Sequence, residues 1–398
     1  FPDYFRDPFA KFHKEWDRIR STQNEPIMVE AFRGAGKSTY FSMLDAVHAI
    51  CYGRAHFMIF SSFEEDRSKM FTARILLELL YNPRLKNDFG EFISDFRPKA
   101  VGYFVADVPR QPGRTVAVKA VSIGQNVRGL VHGARRPDYA RLDDIQSAKR
   151  AKSRKFVEET VAWITRDLIP ALAEDYSCII LATPVNDNCV ASSLEKGFSD
   201  VKPVSVYKYP AEKKGRATWP QVFDKKRLKR IKKTIGSLAY NQEYQLVPVP
   251  LDERTFREDW IRWYEPEEVY GLPFDYVFSW TDPSAKGGKS HDYKATVCAG
   301  ISRGVIYVLA ARIRKESAGR MIEGMYRIYD DHQPSYMFWE DNGGQAILSE
   351  TFQWKAEEFG FFLPVRAETN TVSKEQRVEQ TLSAPIENGV VRINRRDG

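Results

Sequence analysis

The stretch Ala31-Phe32-Arg33-Gly34-Ala35-Gly36-Lys37-Ser38 constrains the fold more than any other part of this 398-residue sequence. It follows the pattern GxxxxGK[ST], with Ala31 in place of the first glycine. An apolar run of strand character, Pro26 to Glu30, leads into it, and helical periodicity runs from Ser38 to Ile50. A glycine-rich turn between a strand and a helix turns backbone N–H groups and a helix N-terminus toward an anion. That is how a phosphate-binding loop works. Arg33, Gly34, Ala35, Gly36, Lys37, Ser38 and Thr39 are the expected ATP-binding residues, with Lys37 at the β/γ-phosphates and Ser38 on Mg²⁺.

The segments that follow fit such a loop. His56 to Ser61 reads as a second strand, and Glu64 to Leu80 as an amphipathic helix ending before Asn82-Pro83. Thr115 to Ser122 and Tyr176 to Ala182 read as further strands. This alternation predicts a mostly parallel sheet covered by helices. A phosphate-binding loop also needs an acidic partner on a neighbouring strand, and Tyr139-Ala140-Arg141-Leu142-Asp143-Asp144 supplies one. Asp143 is the expected Mg²⁺ ligand and Asp144 the residue that polarises water. Arg141 makes this strand less apolar than usual.

Near residue 250 the pattern changes. From Lys213 to Lys233 ten residues are Lys or Arg (Lys213, Lys214, Arg216, Lys225, Lys226, Arg227, Lys229, Arg230, Lys232, Lys233) against one acid, Asp224. Such a run is either a grip for duplex phosphates or a solvated helix face. No base-reading motif accompanies it. Beyond Pro248 and Pro250, strands are expected at Asp275 to Trp280, Ala295 to Ile301 and Val305 to Ala311. A helix from about Glu316 to Asp331, a strand at Tyr336 to Glu340, a helix from about Gln345 to Phe359 and a strand at Phe361 to Val365 complete the series. This is the element order of an RNase H-like fold. Nucleases of that fold gather carboxylates from strand ends around two Mg²⁺ or Mn²⁺ ions. Asp282 ends the first strand, and Glu340 and Asp341 end the fourth.

The ordered set of motifs resembles the large terminase subunits, the ATPase–nucleases of viral DNA packaging. The shared features are Arg33 within the loop, Val127-Arg128-Gly129-Leu130 and Gly133 to Asp138 upstream of Asp143-Asp144, and Thr183-Pro184 after the next strand. Tyr240 to Tyr244 is similar to the family's junction between lid and nuclease. The resemblance implies that Thr183-Pro184 couples hydrolysis to movement. It also implies an arginine acting on a neighbouring subunit's nucleotide, with Arg128 the first choice and Arg135 and Arg136 the alternatives. In the nuclease half, Asp282-Pro283-Ser284 and Asp292-Tyr293 match family steps, and a Glu-x-Asn-x-Gly pattern favours Glu340 over Asp341. The family's remaining acid lies on a helix beyond the last strand. The chain starts at Phe1 without methionine and stops at Gly398, so both ends are expected to be trimmed and that acid to lie beyond Gly398. Asp397, Glu375 and Glu379 are weak stand-ins, and poor DNA cleavage is expected.

The expected architecture is α/β. An ASCE-type P-loop NTPase domain (1–207) is followed by a basic lid or linker (208–250) and an RNase H-like nuclease domain (251–398). The implied activity is ATP-driven translocation of double-stranded DNA into a procapsid, with metal-dependent cleavage of concatemers. The implied partners are DNA, the portal protein, the small terminase subunit and further copies in a pentameric ring. The implied location is the host cytoplasm, transiently at the portal vertex. A repair helicase–nuclease and a nucleotide-gated DNA-binding scaffold are the competing readings. A net charge of +7 suits a polyanionic partner. No apolar run approaches the roughly 20 residues of a membrane span. Four scattered cysteines without a CxxC pair are expected to be reduced thiols rather than a zinc site.

Overall fold

The computed structural model describes residues 4, 7–95, 97–197, 204–248, 256–283, 293–340, 345–369 and 374–396. It divides into two units, Phe1–Lys232 with Leu238–Glu253, and Lys233–Ser237 with Arg254–Gly398.

The first unit is built on an eight-stranded sheet. Its strands are β1 (Pro26–Ala31), β2 (Phe57–Ser62), β3 (Lys99–Ala100), β4 (Tyr103–Asp107), β5 (Thr115–Ser122), β6 (Tyr139–Leu142), β7 (Ser177–Ala182) and β8 (Ser205–Tyr209). They lie in the order β3-β4-β5-β2-β6-β7-β1-β8. All pairs from β5 to β8 are parallel, and β3 and β4 add an antiparallel edge. The central strands β1, β2 and β6 are buried almost throughout, as strands covered on both faces must be. One core cluster joins Met28, Ile59, Leu142, Ile164 and Ile180, and another joins Val47, Met58, Phe60, Ile75 and Phe104.

Helices cover this sheet: α1 (Lys11–Ile19), α2 (Asp45–Cys51), α3 (Glu65–Tyr81), α4 (Pro83–Phe89), α5 (Arg154–Ala162), α6 (Ile169–Ala171) and α7 (Val190–Lys196). α2 continues π-type turns at Ser38–Leu44, and similar turns at Trp163–Leu168 join α5 to α6. A hairpin of β9 (Glu212–Lys213) and β10 (Arg216–Ala217) precedes the long α8 (Lys225–Gln245). Lys214 and Gly215 both have positive φ (51° and 70°), the signature of a two-residue type I′ turn.

One expectation needs correcting. The Asp143 strand β6 is not next to the loop strand β1, because β7 lies between them. Both strands pair with β7 in parallel, so the sheet places the Thr183 end of β7 between the loop and Asp143. An intervening strand at this position is the ASCE arrangement.

The second unit holds a seven-stranded sheet in the order β11-β17-β14-β13-β12-β15-β16. Its strands are β11 (Arg262–Tyr264), β12 (Tyr276–Asp282), β13 (Lys294–Ser302), β14 (Val305–Arg314), β15 (Tyr336–Glu340), β16 (Val365–Glu368) and β17 (Val391–Asn394). β12, β13 and β14 form an antiparallel meander, and β15 and β16 add in parallel beside β12. This is the RNase H-like order. α9 (Ala318–His332), α10 (Gln345–Phe359) and α11 (Lys374–Glu387) are its helices. Met321, Met325 and Tyr326 of α9 pack with Met337 and Leu363.

The last expected strand is displaced, from Phe361–Val365 to Val365–Glu368. Phe361 packs its ring on Tyr326 and Tyr329 and accepts the Tyr326 hydroxyl at 2.7 Å, and Pro364 has no N–H to give a ladder. Gly236 breaks α8 with φ 82° and ψ 163°, and the Ser237 amide next to it donates to Glu387 at 2.6 Å. Cys51, Cys178, Cys189 and Cys298 are buried and unbridged. No described helix is long and apolar enough to cross a membrane.

Candidate nucleotide and nuclease sites

The loop after β1 turns tightly: the Ala35 amide donates to the Phe32 carbonyl at 3.1 Å, and Gly34 and Gly36 both have φ 85°. A side chain at Gly34 would also meet the Phe223 ring, whose Cζ lies 2.9 Å from a built Cβ. Glycine is thus required there by conformation and by space. Beneath the loop, α1 packs through Phe12, His13 and Trp16, all buried. The start of the loop is tied to the end of β8 and to α8. Phe32 donates to Tyr209 O at 3.1 Å and Arg33 to Glu243 O at 2.9 Å. The Arg33 side chain is exposed and pairs loosely with Glu243 at 3.9 Å.

Lys37 Nζ lies 3.4 Å from the Ala31 carbonyl and 3.3 Å from Thr183 Oγ1. The expected coupling threonine thus touches the loop lysine directly. Asp143 is buried and accepts the Ser42 hydroxyl at 3.0 Å. Burial pushes its carboxyl above the usual range and the charge of Asp144 pushes the same way, while the Ser38 and Ser42 hydroxyls and Lys37 oppose them. A desolvated carboxylate beside the Ser38 hydroxyl is an all-oxygen donor set that suits Mg²⁺. Thr39 follows in the π-type turns and is half-buried.

Asp144 has φ 49°, its amide donates to Asp143 Oδ1 at 3.0 Å, and its carboxylate is engaged by Arg67 of α3. Nothing in the sequence pattern pointed to Arg67. Arg141 is fully buried, with Nη2 2.6 Å from Asp45 Oδ2 on α2. Tyr139 also donates to that oxygen at 2.9 Å, and the guanidinium lies 3.6 Å above the Tyr139 ring centre. The charge that made this strand unusual thus pins the Asp143 strand to the helix that leaves the loop.

Arg128 is exposed and pairs with Asp167 at 2.6 Å. Arg135 lies 3.4 Å from the His56 ring, and Arg136 is exposed. All ten cations between Lys213 and Lys233 are exposed, with Arg227 stacked 4.4 Å over Phe223.

In the second unit the register Thr281↔Trp339 places Asp282 and Glu340 at the C-terminal ends of adjacent parallel strands. Glu340 is buried, and Thr281 and Thr296 hydrogen-bond beneath this end at 3.1 Å. Glu340 is also paired in register with Glu368 of β16, a residue the sequence did not single out. Carboxylates are hard donors that fit Mg²⁺ or Mn²⁺. Among the described residues no three Asp, Glu, His or Cys side chains are grouped as a metal site. Asp341, Asp292 and Asp397 lie outside the described residues, and so do the side chains of Glu375 and Glu379.

No family model matches the sequence, and no curated protein sequence does. Solved structures do match. One, of the large terminase from a thermophilic bacteriophage, is 11% identical over 97% of this chain and 88% of that chain, with a TM-score of 0.51. Another of the same phage protein, in complex with ADP, is 12% identical over 98% of this chain and 88% of that chain, also with a TM-score of 0.51. The chain therefore has the two-part fold of the phage large terminases, an ASCE-type P-loop domain followed by an RNase H-like domain.

Proposed function

We propose that the chain is an ATP-driven motor that moves double-stranded DNA into a viral procapsid and carries a metal-dependent nuclease that cuts concatemers. The observation that carries this reading is the contact between Lys37 and Thr183, which links the phosphate-binding residue to the strand end expected to transmit hydrolysis. The ADP-bound phage terminase of the same fold supports a nucleotide at this loop. Lys37 and the loop amides hold the phosphates, while Ser38 and Asp143 hold Mg²⁺. When bound, Mg²⁺ neutralises charge that builds up on the phosphates during transfer. Asp144, kept in place by Arg67, orients the attacking water. Arg128 reaches a neighbouring subunit's nucleotide, with Arg135 and Arg136 as alternatives. The exposed cations of the hairpin and α8 hold duplex phosphates without reading sequence.

In the second unit Asp282 and Glu340, with Asp341 as the alternative, hold the Mg²⁺ or Mn²⁺ ions of the nuclease. When bound, such ions would activate a water and stabilise the leaving oxygen. The proposed partners are DNA, the portal, the small subunit and further copies in a ring, acting in the host cell at the portal vertex. The decisive variant is Lys37→Ala. It is expected to lose ATP turnover and packaging while DNA cleavage persists. Negligible turnover in the unaltered protein would instead make the chain a nucleotide-gated DNA-binding scaffold.

A further inference from the structure

His13 sits in the first turns of α1, buried to 2% exposure among aromatic rings. Its neighbours are Phe9, Phe12, Trp16 and Trp219, with centroids 4.0 to 5.2 Å away. Its two ring nitrogens have different duties. Nδ1 accepts the Ala10 amide at 2.9 Å, so the ring proton resides on Nε2. Nε2 lies 2.9 Å from the Ala35 carbonyl and donates to it. Burial pushes the imidazole's pKa down and keeps it neutral. An Nε2–H imidazole is thus fixed against the middle of the phosphate-binding loop.

The peptide between Ala35 and Gly36 is trans, like every other described peptide bond, and a peptide unit is close to planar. In such a plane the carbonyl and the following N–H point in opposite directions. Holding the Ala35 oxygen toward α1 therefore turns the Gly36 N–H away from α1. Glycine at 36, with φ 85°, can rotate this plane at little steric cost, so the conformation needs an external restraint. We propose that His13 is a positioning residue for the nucleotide site, fixing the Ala35–Gly36 peptide plane so that the Gly36 N–H faces the phosphate. This rests on the loop being an ATP site.

The test separates the two nitrogens. His13→Gln carries an amide N–H near the Nε2 position and keeps the bond to Ala35. His13→Asn carries its amide near the Nδ1 position, keeps the bond to Ala10 and releases Ala35. Binding of a fluorescent ATP analogue with Mg²⁺ is measured on the full chain, beside melting temperature and with Lys37→Ala as a non-binding reference. His13→Asn is expected to weaken nucleotide binding by about tenfold, the worth of one N–H to a charged phosphate, with His13→Gln within about threefold of the parent. Both variants lose one buried hydrogen bond and are expected to melt at similar temperatures. Equal affinities in the two variants, or affinity that follows melting temperature alone, would make His13 a core residue and overturn the proposal. A parent protein that binds no better than Lys37→Ala overturns the ATP-site reading itself, and the proposal with it.

Discussion

Lys37 Nζ rests 3.3 Å from Thr183 Oγ1, across 146 residues of sequence and between the ends of the paired strands β1 and β7. If Lys37 holds phosphate as proposed, this hydroxyl competes for the lysine. Thr183→Val removes the competitor. It is expected to bind ATP about three- to tenfold more tightly, from a net hydrogen-bond worth of ~0.5–1.5 kcal/mol. If the lysine's move from Thr183 to phosphate transmits the signal, the same variant loses DNA packaging while Thr183→Ser keeps it. Calorimetric ATP binding and a packaging assay read the two effects, and a tenfold weaker affinity in Thr183→Val would sink the idea.

The loop and its lysine were legible in the sequence because every residue that makes them is contiguous. The contacts that set the site were not. Asp45 and Arg141 are 96 residues apart, so Arg141 could be seen only as an odd charge in an apolar strand. Arg67 reaches Asp144 over 77 residues with no local pattern to announce it. The intervening position of β7 is a matter of chain crossover, which periodicity within a strand does not encode. In the second unit β12, β13 and β14 fall within about three residues of their expected bounds, because the residues that make each strand are contiguous. β16 lies at Val365–Glu368 instead of the expected Phe361–Val365, because Phe361 packs against α9 and Pro364 has no N–H for a ladder.

The Asp45–Arg141 pair gives a stability prediction. Both side chains are at most 4% exposed, and Arg141 also donates to the carbonyls of Ala140 at 2.9 Å and Ser177 at 3.1 Å. Asp45→Asn removes the charge but keeps the shape, leaving a buried guanidinium uncompensated at a cost of about 3–5 kcal/mol. Replacing both partners, Asp45→Leu with Arg141→Met, is expected to cost less than Asp45→Asn alone. Urea unfolding followed by tryptophan fluorescence distinguishes the cases. A loss under about 1 kcal/mol in Asp45→Asn, the range of exposed pairs, would show that the pair does not clamp β6 to α2.

Glu30, on the strand entering the loop, is fully buried and its carboxyl is pushed up to about 6 by desolvation. Lys208 stands 3.3 Å away as an ion pair without an aligned hydrogen bond, and its stronger contact is to Glu195 at 2.6 Å. A carboxyl whose folded pKa is raised contributes stability that is present below its unfolded pKa. That contribution is lost as pH rises through the folded value. The window is thus pH 4.5 to about 6, and the difference between those values corresponds to about 2 kcal/mol. Glu30→Gln should therefore be more stable than the parent at about pH 7.5 by up to that amount, with the advantage vanishing near pH 4.5. Thermal unfolding of both proteins across this range checks it. An advantage that does not change with pH would place the carboxyl's titration elsewhere.

At the open ends of β12 and β15, Asp282 and Glu340 each follow a residue of the last paired step, Thr281 and Trp339. If they hold the nuclease metals, Asp282→Asn and Glu340→Gln should each reduce Mn²⁺-dependent nicking of plasmid DNA to the level seen with EDTA. ATP turnover should be unchanged. Glu368 is exposed and in register with Glu340, and its proposed action on the metals runs through that neighbour. Glu368→Gln should therefore cost about 10–100-fold, as outer partners of metal ligands do, and extra Mn²⁺ should recover part of the loss. Asp341→Asn decides between Glu340 and the acid that follows it in the sequence. Full nicking in Glu340→Gln combined with none in Asp341→Asn would move the ligand one residue along the chain.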